Sequence, residues 1–412
     1  MARQFFSPGR RRTSNNRRAR ARRRRSPSRR QALLAFFGAS ILIVLCVAGA
    51  CKWLRPKTTA RKSSKSTPAK STAKTLTDAE RREIAAHVSS AIERAGGDDV
   101  WIKPDHGAVP DPEVLAVSRA FDVVAAAIRQ QAEKDGLRTA TASAPGGNGS
   151  RSLEVTLSLS PGASGVVGRW RLREVPRLYR AAIVIDDLGQ EIEPARRIFA
   201  MPYALTLSVL PGLPHSSETA EDAHRAHREV MLHLPMEAQP GSGPPPGRGE
   251  IKVGMPAGEV AETIERDLAS VPYASGVNNH EGSRATADAP LMAEVMRTLG
   301  GRGLYFIDSR TSPSTVALAA ARRQGLPTFY RSVFLDDTET VAYTLGQLHQ
   351  FRRVVEYQGV ALAIGHPHPT TLRALERFLP ALEQDNIELV PASELVRLPE
   401  AARLSPPGDK RE

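Results

Sequence analysis

Between residues 181 and 391, eight short apolar runs recur, at 181–186, 203–209, 229–234, 274–279, 303–308, 328–333, 360–365 and 387–391, each followed by a helical or loop stretch. Runs of this length, rich in Val, Ile, Leu and Phe and lacking polar alternation, read as strands buried on both faces. Strands alternating with helices pair in parallel through right-handed crossovers, so the pattern predicts an α/β fold, an irregular (β/α) barrel of seven or eight strands.

In such a barrel the loops that carry chemistry leave from the C-terminal ends of the strands. Ala181-Ala-Ile-Val-Ile runs into Asp186-Asp187-Leu-Gly189, and Glu229-Val-Met-Leu ends in His233 with Glu237 four residues on. Later runs end in Asn278-Asn279-His280, Asp308-Ser309-Arg310, Asp336-Asp337 and Gly365-His366-Pro367-His368. Six of the eight ends thus carry an acid, imidazole or amide while the interiors stay apolar, which random placement would not produce. Two adjacent carboxylates at the end of a buried strand need a cation or donor between them to stay ionised cheaply, although an Asp pair there can also cap the next helix. Carboxylate and imidazole without cysteine suit a divalent metal, zinc above all, with one position open for water. Such an ion acidifies the water, and a free carboxylate beside it can take the proton.

Composition matters most at the N-terminus. The net charge is +13, and residues 1–30 hold 13 Arg with no Lys, Asp or Glu, so the rest of the chain sums to zero and is not a basic nucleic-acid binder. Residues 32–51 carry no charge, and twenty residues at helical rise span the roughly 30 Å of a hydrocarbon core. We read 32–53 as a transmembrane helix or signal anchor, longer than the apolar region of a cleaved signal, with the Arg block (1–31) held in the cytoplasm. Everything beyond Lys52 is then periplasmic or otherwise extracytoplasmic. Ser28-Arg29-Arg30 is similar to a twin-arginine start and Ala48-Gly-Ala-Cys51 to a poor lipobox, and neither changes the side. Both cysteines, Cys46 and Cys51, fall in the apolar stretch, which leaves no thiol chemistry beyond it. Residues 54–76 are a Lys/Ser/Thr/Pro-rich tether.

A small α+β module is expected over 77–175: a helix opening at Thr77-Asp78-Ala-Glu80, a second from Pro112 to Lys134, and strands at Leu153–Leu159 and Val166–Leu172. His87 and His106 in it read as surface residues. The segment Gln239–Gly249, without apolar side chains beyond proline, reads as a mobile loop at the mouth of the site, open to limited proteolysis. Residues 399–412 read as a tail.

The segments IVIDDLG, LSVLPGLPHS, REVMLHLPME, GVNNHEGSRATAD, YFIDSRTSPSTVA, FLDD and IGHPHPTTL resemble the divergent branch of the polysaccharide deacetylases, carbohydrate esterases with a deformed (β/α) barrel, over roughly residues 178–398. The resemblance implies Asp186 as catalytic base and Asp187 as metal ligand. It implies further ligands from a His-x-x-x-His motif, for which this chain has His233-Leu-Pro-Met-Glu237. The departure leaves two options, a carboxylate ligand at Glu237 or completion of the site by His280. His366 takes the general acid's place, and Asn279, Arg284, Asp308 and Arg310 are candidates to hold substrate. The implied partner is an acetylated cell-envelope polysaccharide. An inactive glycan- or partner-binding scaffold is the alternative, and a metallophosphatase a third. Each residue also has a structural reading. His233 and His366, beside Pro235 and Pro367, can merely cap their strands, Asp336-Asp337 can cap a helix or bind a sugar hydroxyl, and His224 and His227 read as a solvated helix face. His215 stays open between the two readings, and His368 reads as a surface or supporting residue.

Overall fold

The structure, a computed structural model, describes residues 76–105, 107–145, 150–160, 165–241 and 246–398. The expected Arg-rich tail, membrane segment, tether and C-terminal tail lie outside these residues, apart from Leu76, as do His106 and part of the 239–249 loop. Among the described residues no helix is long and apolar enough to cross a membrane.

The first sheet is built from β1 (Val100–Ile102), β2 (Glu113–Val117), β3 (Arg138–Pro145), β4 (Arg151–Ser158) and β5 (Val166–Val175), in the order β1-β2-β5-β4-β3. Helices Asp78–Gly96 and Ser118–Lys134 pack against it, with Val88, Ile92, Phe121, Val124 and Ile128 meeting Val155, Leu157, Trp170 and Leu172. The first helix begins in a capping box: Glu80 N–H donates to Thr77 Oγ1 and Thr77 N–H donates to Glu80 Oε2. The helix expected from Pro112 starts only at Ser118. Glu113-Val-Leu-Ala-Val117 is a strand instead, antiparallel to β1 and parallel to β5, and pairing on both sides overrides helical spacing.

The second sheet is wholly parallel. Its strands are β6 (Tyr179–Leu188), β7 (Leu205–Val209), β8 (Val230–Met236), β9 (Ala274–Glu281), β10 (Tyr305–Asp308), β11 (Thr328–Tyr330), β12 (Val333–Phe334) and β13 (Val360–Gly365), in the order β11-β10-β9-β8-β7-β6-β13-β12, with β14 (Ile387–Leu389) pairing the start of β6. The expected irregular barrel takes the form of a curled half-barrel of eight parallel strands with a seam, where no ladder joins β11 to β12. The run expected as one strand at 328–333 supplies both edges. Arg331 and Ser332 carry the chain across the seam, Arg331 N–H bonding Asp308 O on one side and Ser332 N–H bonding Leu362 O on the other.

Strand alternation sorts the side chains. On β6, Ala181, Ile183 and Ile185 join the outer core under the helices, while Ala182 and Val184 face the interior of the curl. Met231 on β8, Tyr305 and Ile307 on β10, and Leu362 and Ile364 on β13 also face inward.

Candidate functional site

Extending that alternation to the C-terminal ends of the strands places Asp186, His233, Asn278, His280 and His366 on the inner side. They line one cavity of about 420 Å³ at that end of the sheet, except Asn278, which lies behind them. Asp187 should point the other way. Its backbone is left-handed, with φ +57°, beside a register shift between Ile185 and Leu188 on β7's partner edge, and the bulge turns Asp187 into the cavity beside Asp186. Glu281 and Arg310, both at φ +52°, hold the same conformation at the ends of β9 and β10. Non-glycine residues in this region cost on the order of 1–3 kcal/mol each, held here by the surrounding fold.

Three potential ligand atoms converge. Asp187 Oδ1 lies 3.2 Å from His233 Nε2 and 3.0 Å from His280 Nδ1, and the two ring nitrogens are 3.1 Å apart. Behind them Asn278 Oδ1 accepts from Ser208 Oγ (2.6 Å) and from His233 Nδ1 (2.9 Å), while Asn278 Nδ2 donates to Asp186 Oδ1 (2.8 Å). The Asp186 carboxylate only accepts, which fixes the amide's orientation; the amide oxygen in turn fixes the proton of neutral His233 on Nδ1. In that neutral tautomer His233 Nε2 presents a lone pair to the buried Asp187 Oδ1, while His280 Nδ1, 3.0 Å from the same oxygen, donates or accepts according to its own tautomer. Burial would raise the Asp187 carboxyl, yet His233 and His280 hold it well below the usual carboxylate range. Burial also opposes charge on His233, and the carboxylates of Asp186 and Asp187 outweigh it and raise its pKa. A proton on one of the rings satisfies this group in the free protein, and a metal ion bound by all three atoms would replace it. Ligands about 2.0–2.2 Å from one ion stand about 3–3.5 Å apart at octahedral or tetrahedral angles, so the residues present fit a divalent metal.

His366 faces this group, Nε2 lying 3.8 Å from Asp187 Oδ2. Its other nitrogen, Nδ1, is 3.0 Å from Asp336 Oδ1, and Asp336 Oδ2 accepts from His366 N–H (2.6 Å) and Thr371 Oγ1 (2.7 Å). Burial disfavours the imidazolium, but Asp336 and the nearby Asp187 push its pKa up to about 9. Asp336 therefore neither caps a helix nor meets solvent; it positions His366. The same contacts occupy Asp336, although with His366 and His368 it forms a second group close enough to hold an ion.

Several expected site residues lie elsewhere. Glu237 does not join Asp187: β8 stays extended to Met236, and four residues of strand advance about 13 Å, whereas a helix would have brought His233 and Glu237 together. Its carboxylate instead accepts from Arg284 Nη1 (2.6 Å) and Val253 N–H (2.8 Å), which removes Arg284 from the cavity as well. Asp308 shares Phe306's outward side and accepts from Arg310 N–H, Thr315 Oγ1 and Leu318 N–H beneath the helix Ala317–Arg323. Asn279 reaches the cavity wall, but Ser309 N–H and Glu281 O engage both ends of its amide. Arg310 lines the cavity. His215 pairs with Glu218 and His224 stacks on Tyr273, both away from the site. Sequence reasoning assigned no role to Asn278, Ser208, Arg331 or Phe334; for Asn278 the signal was its shared parity with His280.

A family model described as divergent polysaccharide deacetylase matches residues 183–396. The uncharacterized protein YibQ of Escherichia coli K12 is 39% identical over 228 residues, 55% of this chain and 70% of that one. An uncharacterized protein of Haemophilus influenzae is 37% identical over 221 residues, 53% and 77% of the two chains. Among solved structures, an uncharacterized protein of Agrobacterium tumefaciens superposes with a TM-score of 0.51 at 27% identity, over 53% of this chain and 89% of that one.

Proposed function

The chain belongs to the divergent polysaccharide deacetylase family, and from that premise we propose that it is a metal-dependent hydrolase that removes acetyl groups from an acetylated glycan of the cell envelope. The observation that carries this is the convergence of Asp187 Oδ1, His233 Nε2 and His280 Nδ1 within 3.0–3.2 Å of one another, beside a second carboxylate and a carboxylate-held histidine. A divalent ion held there, zinc being well suited to the donor set, supplies Lewis acidity towards an acetyl carbonyl and a water. Asp186, anchored through Oδ1 by Asn278, keeps Oδ2 to accept the water's proton as oxygen adds to the carbonyl carbon. His366, oriented through Nδ1 by Asp336, gives the Nε2 proton to the departing amine or alkoxide as its bond to the acyl carbon breaks, leaving acetate and a free amine or hydroxyl.

We place this barrel outside the cytoplasmic membrane, on the uncharged stretch at 32–51 behind 13 Arg. A C-terminal reporter active only outside the cytoplasm should be active; activity of a cytoplasm-only reporter instead would reverse the assignment. For the chemistry, acetate release and metal content are compared between wild type and Asp187→Asn, a side chain that also tolerates the left-handed backbone. We expect about one divalent ion per wild-type chain and acetate from acetylated glycan, with both lost in the variant. Turnover that persists after the ion is lost sinks the proposal.

A further inference from the structure

The wall of the cavity opposite His233 carries two arginines that no acid claims. Arg331 crosses the seam with its guanidinium half-buried. Its Nε donates to Ser309 O (2.5 Å) and its Nη2 to Arg310 O (2.8 Å), and its plane lies over Phe334, 4.9 Å from the ring centroid. Arg310, fixed at the left-handed end of β10, extends over Tyr330 at 5.2 Å. Both line the cavity with Asp187, His233 and His366, and neither has an ion-pair partner within 4 Å among the described residues. Elsewhere arginines of this protein do find acids, as Arg284 finds Glu237 and Arg180 finds Asp98 and Glu388. Burial and the neighbouring Arg310 charge work against the charge on Arg331 and outweigh the more distant carboxylates of Asp186, Asp308 and Asp337, so the pair is held together at a cost to the free protein. Between them Ser309, only 4% exposed, lines the same cavity with a hydroxyl that has no hydrogen-bond partner. Two guanidiniums and an unused hydroxyl on one wall form a preorganised anion cradle.

Resting on the deacetylase reading, we infer that the acetylated sugar this site accepts carries a carboxylate, and that Arg310, Arg331 and Ser309 hold it while the acetyl group lies against His366 and Asp187. A singly charged group fits better than a phosphate dianion, since Asp337 and Glu281 line the same cavity and would repel the second charge. Phe334, edge-on to His366 at 5.3 Å, separates the cradle from the acid and gives an apolar surface for a sugar face.

The test uses the full chain and two oligosaccharides of equal length, one a neutral N-acetylhexosamine oligomer and one bearing an N-acetylaminouronic acid. Equilibrium binding and acetate release are measured on both. We expect the acidic oligomer to bind at least about tenfold more tightly at low salt, with the preference shrinking at high salt. Arg310→Gln, on an exposed side chain, should reduce the preference to below about threefold, and Arg331→Lys, which keeps the charge but loses the planar fork, should reduce it partway. Equal binding of the two oligomers by wild type overturns the inference. So does a preference that survives in Arg310→Gln, as direct ligation of a metal by the carboxylate would give. Acid-selective binding without acetate release would keep the cradle and remove the deacetylase reading; equal binding with equal release would do the reverse.

Discussion

The two ends of the parallel sheet carry the same kinds of side chain and use them differently. At the N-terminal end, Arg180 donates to Asp98, in the turn before β1, at 2.8 Å and to Glu388 on the neighbouring β14 at 3.2 Å. Glu229, just before β8, accepts from Thr206 Oγ1, Ser275 Oγ and Ser393 N–H. The larger cavity, about 710 Å³, is here, and two of its arginines, Arg119 and Arg180, are matched by Asp99 and Asp98. At the C-terminal end the cavity is smaller, Asp187 Oδ1 meets two imidazole nitrogens at once, and left-handed backbone recurs at Asp187, Glu281 and Arg310. Volume therefore does not locate the chemistry. A cluster whose donors and acceptors close on one another stabilises the fold, while one whose ligand atoms converge on an open cavity can take up something from outside.

Substitutions should divide along the same line. His366→Ala is expected to lower kcat for acetate release by about 10²–10⁴-fold, the contribution of a positioned acid, with the melting temperature within about 3 °C of wild type. A loss under tenfold would move the proton donor elsewhere. Asn278→Ala removes the partner of His233 Nδ1 and the donor to Asp186 at once, and metal affinity measured by competition should fall about 10–100-fold. It should also destabilise by about 1–3 kcal/mol through the orphaned buried groups; lost stability with unchanged metal affinity would make Asn278 a residue of the fold alone. Asp336→Asn is smaller and shows in a pH profile. The donating form of His366 exists below its pKa, about 9, and is lost as pH rises through it. Without Asp336 the alkaline limb of kcat should move down towards the ordinary histidine value of about 6.5, so the rate at pH 8 falls by up to about thirtyfold. A limb that stays in place would show that another group sets it.

Much of this end was legible before any coordinates. Continuous apolar runs marked the strands, and alternation along them separates Asp186, behind Ala182 and Val184, from Asp308, behind Phe306. The candidate list treated both as site residues because it read strand ends and not strand parity. Three things needed the third dimension. The bulge that turns Asp187 inward is a backbone event that an Asp-Asp-Leu-Gly string does not announce. The His-x-x-x-Glu spacing suits a helix, and only the persistence of β8 through Pro235 to Met236 carries Glu237 away and leaves His280, opposite Pro235 on β9, to take its place. The bond from Asp336 to His366 depends on β12 pairing with β13, on the far side of the seam that divides one apolar run between the two edges of the sheet.

The smallest expected effect lies at the closed end and concerns stability alone. Burial pushes the Glu388 carboxyl up from its ordinary 4.5 to about 7, against the attraction of Arg180. The folded state therefore holds a proton that the unfolded chain releases, so this group's contribution to stability is fully present below about pH 4.5, declines as pH rises towards 7, and is constant beyond. Glu388→Gln removes that decline. The melting temperature of the variant relative to wild type should rise across pH 4.5–7, by about 2–4 °C at most, because Arg180 keeps Asp98 and the pair is partly solvated. Acetate release should not change, since Glu388 belongs to the end of the sheet where charges already answer one another. A melting difference that is flat across this pH range would mean that Glu388 does not titrate there. A change in turnover would mean that the two ends are coupled through β6, the strand that carries Arg180 at its start and both Asp186 and Asp187 near its finish.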